Sequence, residues 1–206
     1  MTERVSDWRA YEPLPFDRVL EAAVRAFLAK GYHGASIRDV AGEAGMSVPG
    51  IYHHHESKQA MLREILSISV ADLLYRSLLA RTEGADAMAR FSNMVESVVL
   101  FHTNRRDVGF IAASEMRSLE RPFLDDFLAQ RVEQQRMIDV EVEAGYAAGG
   151  FTVADPHLAA RAVITMCTAT AQWYDPHGPS TPSDLATSYV KLAQRMMGSS
   201  PQGRGD

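Results

Sequence analysis

The stretch that decides the fold is residues 36–58, SIRDVAGEAGMSVPGIYHHHESK. Ser36 followed three residues later by Asp39 is a capping box with the shorter acid, and Ile37, Val40, Ala41 and Ala44 then recur at helical spacing. Gly45 can take the left-handed conformation that ends this short helix. Ser47 caps a second one over 48–54, with Pro49 in the first turn, where backbone N–H groups lack intrahelical partners anyway. Ser57 starts a third and longer helix, carried from Lys58 to about Arg81 by Met61, Leu62, Ile65, Leu66, Leu73, Leu74 and Leu78. Two helices of about seven residues joined by a three-residue turn containing glycine describe a helix-turn-helix, whose second member enters the DNA major groove. Spacing alone leaves plain structural packing open as the alternative.

Outward from this core the periodicity stays helical. Val19, Ala23 and Phe27 share a stripe over 17–30, with Gly31 placed to stop that helix. Beyond Gly84, Met88, Phe91, Val95, Val98 and Val99 mark a fifth helix, and Phe110 and Ile111 a short sixth. Pro122 opens a seventh, broken by Gly145, Gly149 and Gly150. Asp155-Pro156 is a side-chain cap followed by proline at the first helical position, and 158–173 is apolar nearly all round, so it must be buried on more than one side. Ser183 or Asp184 then caps a last helix bearing Leu185, Tyr189, Leu192, Ala193 and Met196. Runs of alternating β-branched residues are missing. The expected fold is all-α with about nine helices: an N-terminal extension at 1–14, a helix-turn-helix domain at 15–62, a ligand-binding and dimerisation domain at 63–198, and a flexible tail at 199–206.

Composition narrows the function. With 46% hydrophobic and 23% charged residues the chain is a globular protein, and no stretch reaches the ~18 consecutive apolar residues of a membrane helix. The first 18 residues carry Glu3, Arg4, Asp7 and Arg9 rather than a signal peptide's apolar centre, so a cytoplasmic location is expected. The single cysteine, Cys167, rules out an intrachain disulfide and reads as a buried inert thiol. A net charge of −5 disfavours nucleic acid, but through Arg63 the basic and acidic residues balance at eight each, leaving the whole excess downstream. Metal binding by His53, His54 and His55 is not expected, because consecutive helical residues point about 100° apart. No H-E-x-x-H, G-x-S-x-G or phosphate-cradling glycine loop occurs, so neither enzymatic activity nor a cofactor is expected.

Ser36-Ile-Arg-Asp-Val-Ala, Ala44-Gly45, Ser47, Ile51-Tyr52-His-His, Ser57-Lys58 and Met61-Leu62, after a helix ending Phe27-Leu-Ala-Lys-Gly31-Tyr, resemble the DNA-binding domain of the tetracycline-repressor (TetR) family in register from about Arg18 to Glu64. The resemblance implies a homodimeric regulator bound to double-stranded operator DNA. Ser47, Val48, Pro49 and Gly50 would meet base edges or a thymine methyl. Tyr52, His53, Ser36, Arg38 and Lys58 would meet phosphates, with a core aromatic as the alternative for Tyr52 and a solvated charge for Arg38. Two departures stand out. The second helix of the motif has no Lys or Arg for a guanine contact, and His55 stands where the family usually has phenylalanine, so operator binding is expected to weaken at mildly acidic pH.

Downstream, Arg117-Ser-Leu119, Arg131, Gly145 to Phe151, Asp155-Pro156 and Trp173 to Gly178 look like a subgroup of that family that responds to acyl-CoA thioesters or other lipid-derived molecules. Met94, Phe101, Phe110, Met116, Phe127, Tyr146, Met166 and Trp173 are the candidate pocket lining, each with ordinary core packing as the alternative. His102 and Arg105, with Arg106, are candidates for an anionic head group, a solvated turn being the alternative. Met166, Thr170, Trp173, Tyr189, Leu192 and Met196 are the expected dimer contacts, with the last two helices pairing as a four-helix bundle. The expected function is a repressor released from a pseudo-palindromic operator when a small hydrophobic effector shifts the helix that starts at Lys58. The alternative is a dimeric ligand sensor with weak or no specific DNA binding.

Overall fold

The computed structural model describes residues 7–198, and the tail at 199–206 and the first six residues of the extension lie outside them. Among the described residues all regular structure is helical: α1 (Arg18–Gly34), α2 (Ile37–Ala44), α3 (Val48–His54), α4 (Lys58–Glu83), α5 (Ala87–Asn104), α6 (Arg106–Glu115), a 3-10 turn at Met116–Ser118, α7 (Phe123–Ala147), α8 (Pro156–Thr168), α9 (Thr170–Trp173) and α10 (Pro182–Met196). Ala169, between α8 and α9, keeps helical dihedrals (φ −65°, ψ −15°), so the two are the one apolar helix expected over 158–173 with a tightened turn inside it. Counted so, the helices among the described residues number nine.

The described residues divide into two compact units, one of 12–72 and 107–130, the other of 7–11, 73–106 and 131–198. In the first unit, Asp17 caps α1 by accepting the Leu20 N–H at 2.8 Å. Val19, Leu20, Ala23 and Phe27 of α1 are buried, as are Val40, Ala41 and Ala44 of α2, Ile51 of α3 and Met61, Leu62 and Ile65 of α4. Gly31 (φ 69°, ψ 163°) holds a conformation closed to residues with a Cβ; it kinks α1 rather than ending it, and the helix resumes to Gly34. The capping box of α2 is complete, and Gly45 (φ 60°, ψ 38°) is the left-handed residue that ends it.

In the second unit α5 packs against α8, α9 and α10, burying Phe91, Met94, Val95, Val98 and Val99 on one side and Val163, Ile164, Cys167, Ala186 and Ala193 on the other. Burial pushes the Cys167 thiol well above its ordinary range, so it stays protonated. Gly145 is required where it stands, since a Cβ there would sit within the Phe151 ring. Glu141, 1% exposed, accepts from Arg81 and Arg90, both at 2.6 Å, which ties α7 to α4 and α5 within this unit. Residues 7–11 of the extension also belong here: Trp8 is fully buried, and the buried Arg76 donates to the carbonyls of Trp8 and Ala10 at 2.9 and 2.7 Å.

The start of α10 differs from the sequence expectation. Thr181, not Ser183 or Asp184, is the cap; it forms a reciprocal box with Asp184, and Pro182 takes the first helical position, where a missing N–H costs nothing. Thr181→Ala is expected to destabilise the protein by about 1 kcal/mol and lower the unfolding midpoint by about 2–4 °C, read by thermal melting.

Candidate nucleic-acid interface and ligand domain

Helix α3 is two-faced because its anchors are unequal. Ile51 is fully buried and His55, just past the end of the helix, is 8% exposed, while Ser47, Pro49, Tyr52 and His53 are exposed and Val48 and Gly50 half-buried. Tyr52, at 52% exposure, is therefore not a core aromatic. The Ser47 hydroxyl oxygen accepts the Gly50 N–H at 3.2 Å, which fixes the first turn of α3 and leaves the O–H proton free to donate.

The phosphate candidates are held to different degrees. Arg38 is exposed on α2. Ser36 is committed to its cap, donating to Asp39 Oδ2 at 2.8 Å and accepting the Asp39 N–H. Lys30, together with Ser36, holds the Asp39 carboxyl far below the usual carboxylate range, so this box stays charged at any working pH. Lys58 donates to the carbonyls of Tyr32 and Ala35 at 2.6 and 2.8 Å and lies over the Tyr32 ring. An ammonium has three donors, so one remains for an outside acceptor.

His55 is wedged between two carboxylates, with Nε2 3.1 Å from Asp17 Oδ2 and Nδ1 3.4 Å from Glu64 Oε2. Burial disfavours the charged Asp17, but the Leu20 N–H and His55 outweigh it and hold that carboxyl below its ordinary value. Asp17 caps α1 and Glu64 lies on α4, so the His55 ring joins both of those helices to the end of α3.

The ten pocket candidates are divided between the units: Met94, Phe101 and His102 on α5, Arg105 just after it, Tyr146, Met166 and Trp173 belong to the second, and Phe110, Met116 and Phe127 to the first. Tyr146 is exposed at the end of α7, where the chain breaks at the glycines that follow, and Trp173 is 54% exposed and stacks on Tyr189, so neither faces an interior. In the first unit a cleft of about 100 Å³ lies between α4 and the start of α7, lined by Arg63, Leu66, Phe123 and Phe127 among others. The His102 Nδ1–H donates to the Val98 carbonyl at 2.8 Å, and burial pushes the ring's pKa down to about 4, helped by the charge of Arg131.

Of the expected dimer contacts, Thr170 is corrected. It is fully buried and donates to the Cys167 carbonyl at 2.7 Å, because it lies on the side of α9 turned toward α5. Trp173 and Leu192 are exposed, Met166, Tyr189 and Met196 half-buried, and Leu158 on α8, which the sequence reading did not name, is 62% exposed. Leu158, Trp173 and Leu192 thus leave large apolar side chains in the open on the last helices.

Residues 19–65 match the model of bacterial regulatory proteins of the tetR family, and residues 84–197, more than half of the chain, match the tetracyclin repressor-like C-terminal domain. The chain belongs to the TetR family. Among its TetR relatives, the HTH-type transcriptional repressor KstR2 of Mycolicibacterium smegmatis is 24% identical over 92% of both chains, and KstR2 of Rhodococcus jostii is 28% identical over 84% of this chain and 86% of the relative. A solved tetR-family regulator from Rhodococcus RHA1 superposes with a TM-score of 0.83 at 28% identity, covering 89% of this chain and 97% of the other. AibR, solved in complex with isovaleryl coenzyme A and operator DNA, shares the fold with a TM-score of 0.76 at 22% identity, over 85% and 97% of the two chains. Proteins of this family are regulators of transcription rather than enzymes. Among the described residues no helix of this TetR protein is long and apolar enough to cross a membrane.

Proposed function

We propose that this protein is a cytoplasmic homodimeric repressor that holds a pseudo-palindromic operator through α3 and releases it when a small hydrophobic effector, such as an acyl-CoA thioester, binds the C-terminal domain. The observation that carries the reading is the asymmetry of α3: Ile51 and His55 fasten one face while Ser47, Pro49, Tyr52 and His53 stand free on the other, inside a segment that matches the family's DNA-binding model. Relatives named as repressors, and a structural neighbour solved with both isovaleryl coenzyme A and operator DNA, support it.

The direct test is selection of operator sequences from random DNA, repeated with acyl-CoA compounds of different chain length. Recovery of an inverted repeat that is lost on adding one of them is the expected result. Sequence-indifferent binding would replace this reading with that of a dimeric ligand sensor, which the absence of Lys and Arg from α3 makes the natural rival. Dimerisation through α8 to α10 is tested separately: Leu192→Ala, which trims an exposed apolar side chain, is expected to raise the dimer dissociation constant about tenfold in analytical ultracentrifugation. An unchanged constant would move the interface elsewhere.

A further inference from the structure

Gln134 sits on the core-facing side of α7, 1% exposed, and neither its amide nitrogen nor its amide oxygen has a hydrogen-bond partner. One turn earlier on the same helix is Arg131, half-buried and with no carboxylate partner among the described residues; desolvation draws down its affinity for the proton. The His102 ring lies close enough to Arg131 to feel its charge, and is itself buried and neutral. Elsewhere in the same unit polar burial is handled differently, as with Glu141, which is answered by two arginines. A partly desolvated cation without an anion and a buried amide without a partner are both unfavourable, and both are relieved by one kind of guest.

We propose that Arg131 and Gln134 form the head-group site for an apolar carboxylate, the guanidinium taking the two carboxylate oxygens and the Gln134 amide a third hydrogen bond. Arg131 supplies the charge, because His102 beside it has its Nδ1–H committed to Val98 and is neutral at working pH, so it brings no second cation. Phe101, Met137 and Ile138, buried on the same two helices, give the neighbourhood the apolar character that suits the body of such a ligand. The inference rests on the C-terminal domain being the effector domain, and it sharpens the chemistry: a free carboxylate is the preferred form, whereas a thioester presents only a neutral carbonyl to Arg131.

The experiment uses the full chain and measures calorimetric binding of octanoate, dodecanoate and 1-adamantanecarboxylate, each beside its neutral alcohol, and of dodecanoyl-CoA. At least one acid is expected to bind at least ten times more tightly than its alcohol, Arg131→Met to erase that preference, and Arg131→Lys to restore part of it. Gln134→Met is expected to raise the unfolding midpoint of the ligand-free protein by about 2–4 °C while weakening acid binding, since a site kept unpaired for a ligand costs stability. A fall in that midpoint, equal binding of acid and alcohol, binding of the CoA thioester alone, or binding of none would each overturn the proposal. Operator binding by the same preparations is scored independently, so a failure of DNA recognition is not mistaken for a failure of this site.

Discussion

Tyr52→Ala is expected to weaken operator binding by about 100-fold while leaving the unfolding midpoint nearly unchanged. The phenol is half exposed on the outward face of α3, so its removal leaves no cavity, and exposed substitutions of this kind move stability by no more than about 0.5 kcal/mol. A hydrogen bond from a hydroxyl to a charged phosphate contributes about 1.5–3 kcal/mol, and a two-fold dimer loses two of them, which even at the lower bound is about 3 kcal/mol or some 100-fold. Fluorescence anisotropy on a selected operator, with thermal melting of the same samples, reads both halves of the expectation. The control is Arg38→Ala, which removes a charge: it should flatten the dependence of affinity on salt by about one unit of slope per half-site, whereas Tyr52→Ala should leave the slope intact. Unchanged affinity in Tyr52→Ala would place that side chain away from the DNA.

The second large effect is acid destabilisation centred on His102. Burial, with a smaller push from Arg131, sets its pKa at about 4 in the folded protein against an ordinary value of 6.5. Between those values the unfolded chain binds the proton and the folded one does not, so stability rises with pH across the window and is lost as pH falls from 6.5 toward 4. The full shift corresponds to about 3 kcal/mol. Urea unfolding at pH 7.5 and 4.5 should show a drop in wild type that His102→Gln reduces by about that amount. An equal drop in both proteins would assign acid sensitivity to other groups. Above pH 7 the two should share the same pH dependence, because the imidazole is neutral in both folded and unfolded chains.

Most of the DNA-binding motif was legible in the sequence because its determinants are local. Ser36 with Asp39, Gly45, Ser47 with Pro49, and Ser57 each act within one helical turn, and the structure places α2 and α3 where those residues require. The same locality explains Asp155 and Pro156 at the start of α8. At α10 several competent caps lie close together, and Pro182 at the first helical position makes Thr181 the cap, two or three residues before the ones expected.

Burial was less legible, since it depends on what arrives from elsewhere in the chain. Thr170 and Trp173 lie three residues apart in one apolar helix, yet one is fully buried beneath α5 and the other more than half exposed. His55 looked like a polar intruder in an apolar place, and only the approach of Asp17 and Glu64 from either side shows why a histidine is accommodated there. Gln134 passed unnoticed, and Arg131 was noted only as part of a family likeness, because nothing along the sequence says that a glutamine on an amphipathic helix is buried without partners one turn from an arginine that has no carboxylate.

The helix-turn-helix with which the chain announces itself was thus determined by the sequence alone, through caps, glycines and a 3.6-residue period acting over a few residues. Which charges are buried, which are answered and which wait for a ligand was decided only by tertiary structure, because desolvation and pairing are set by neighbours distant along the chain.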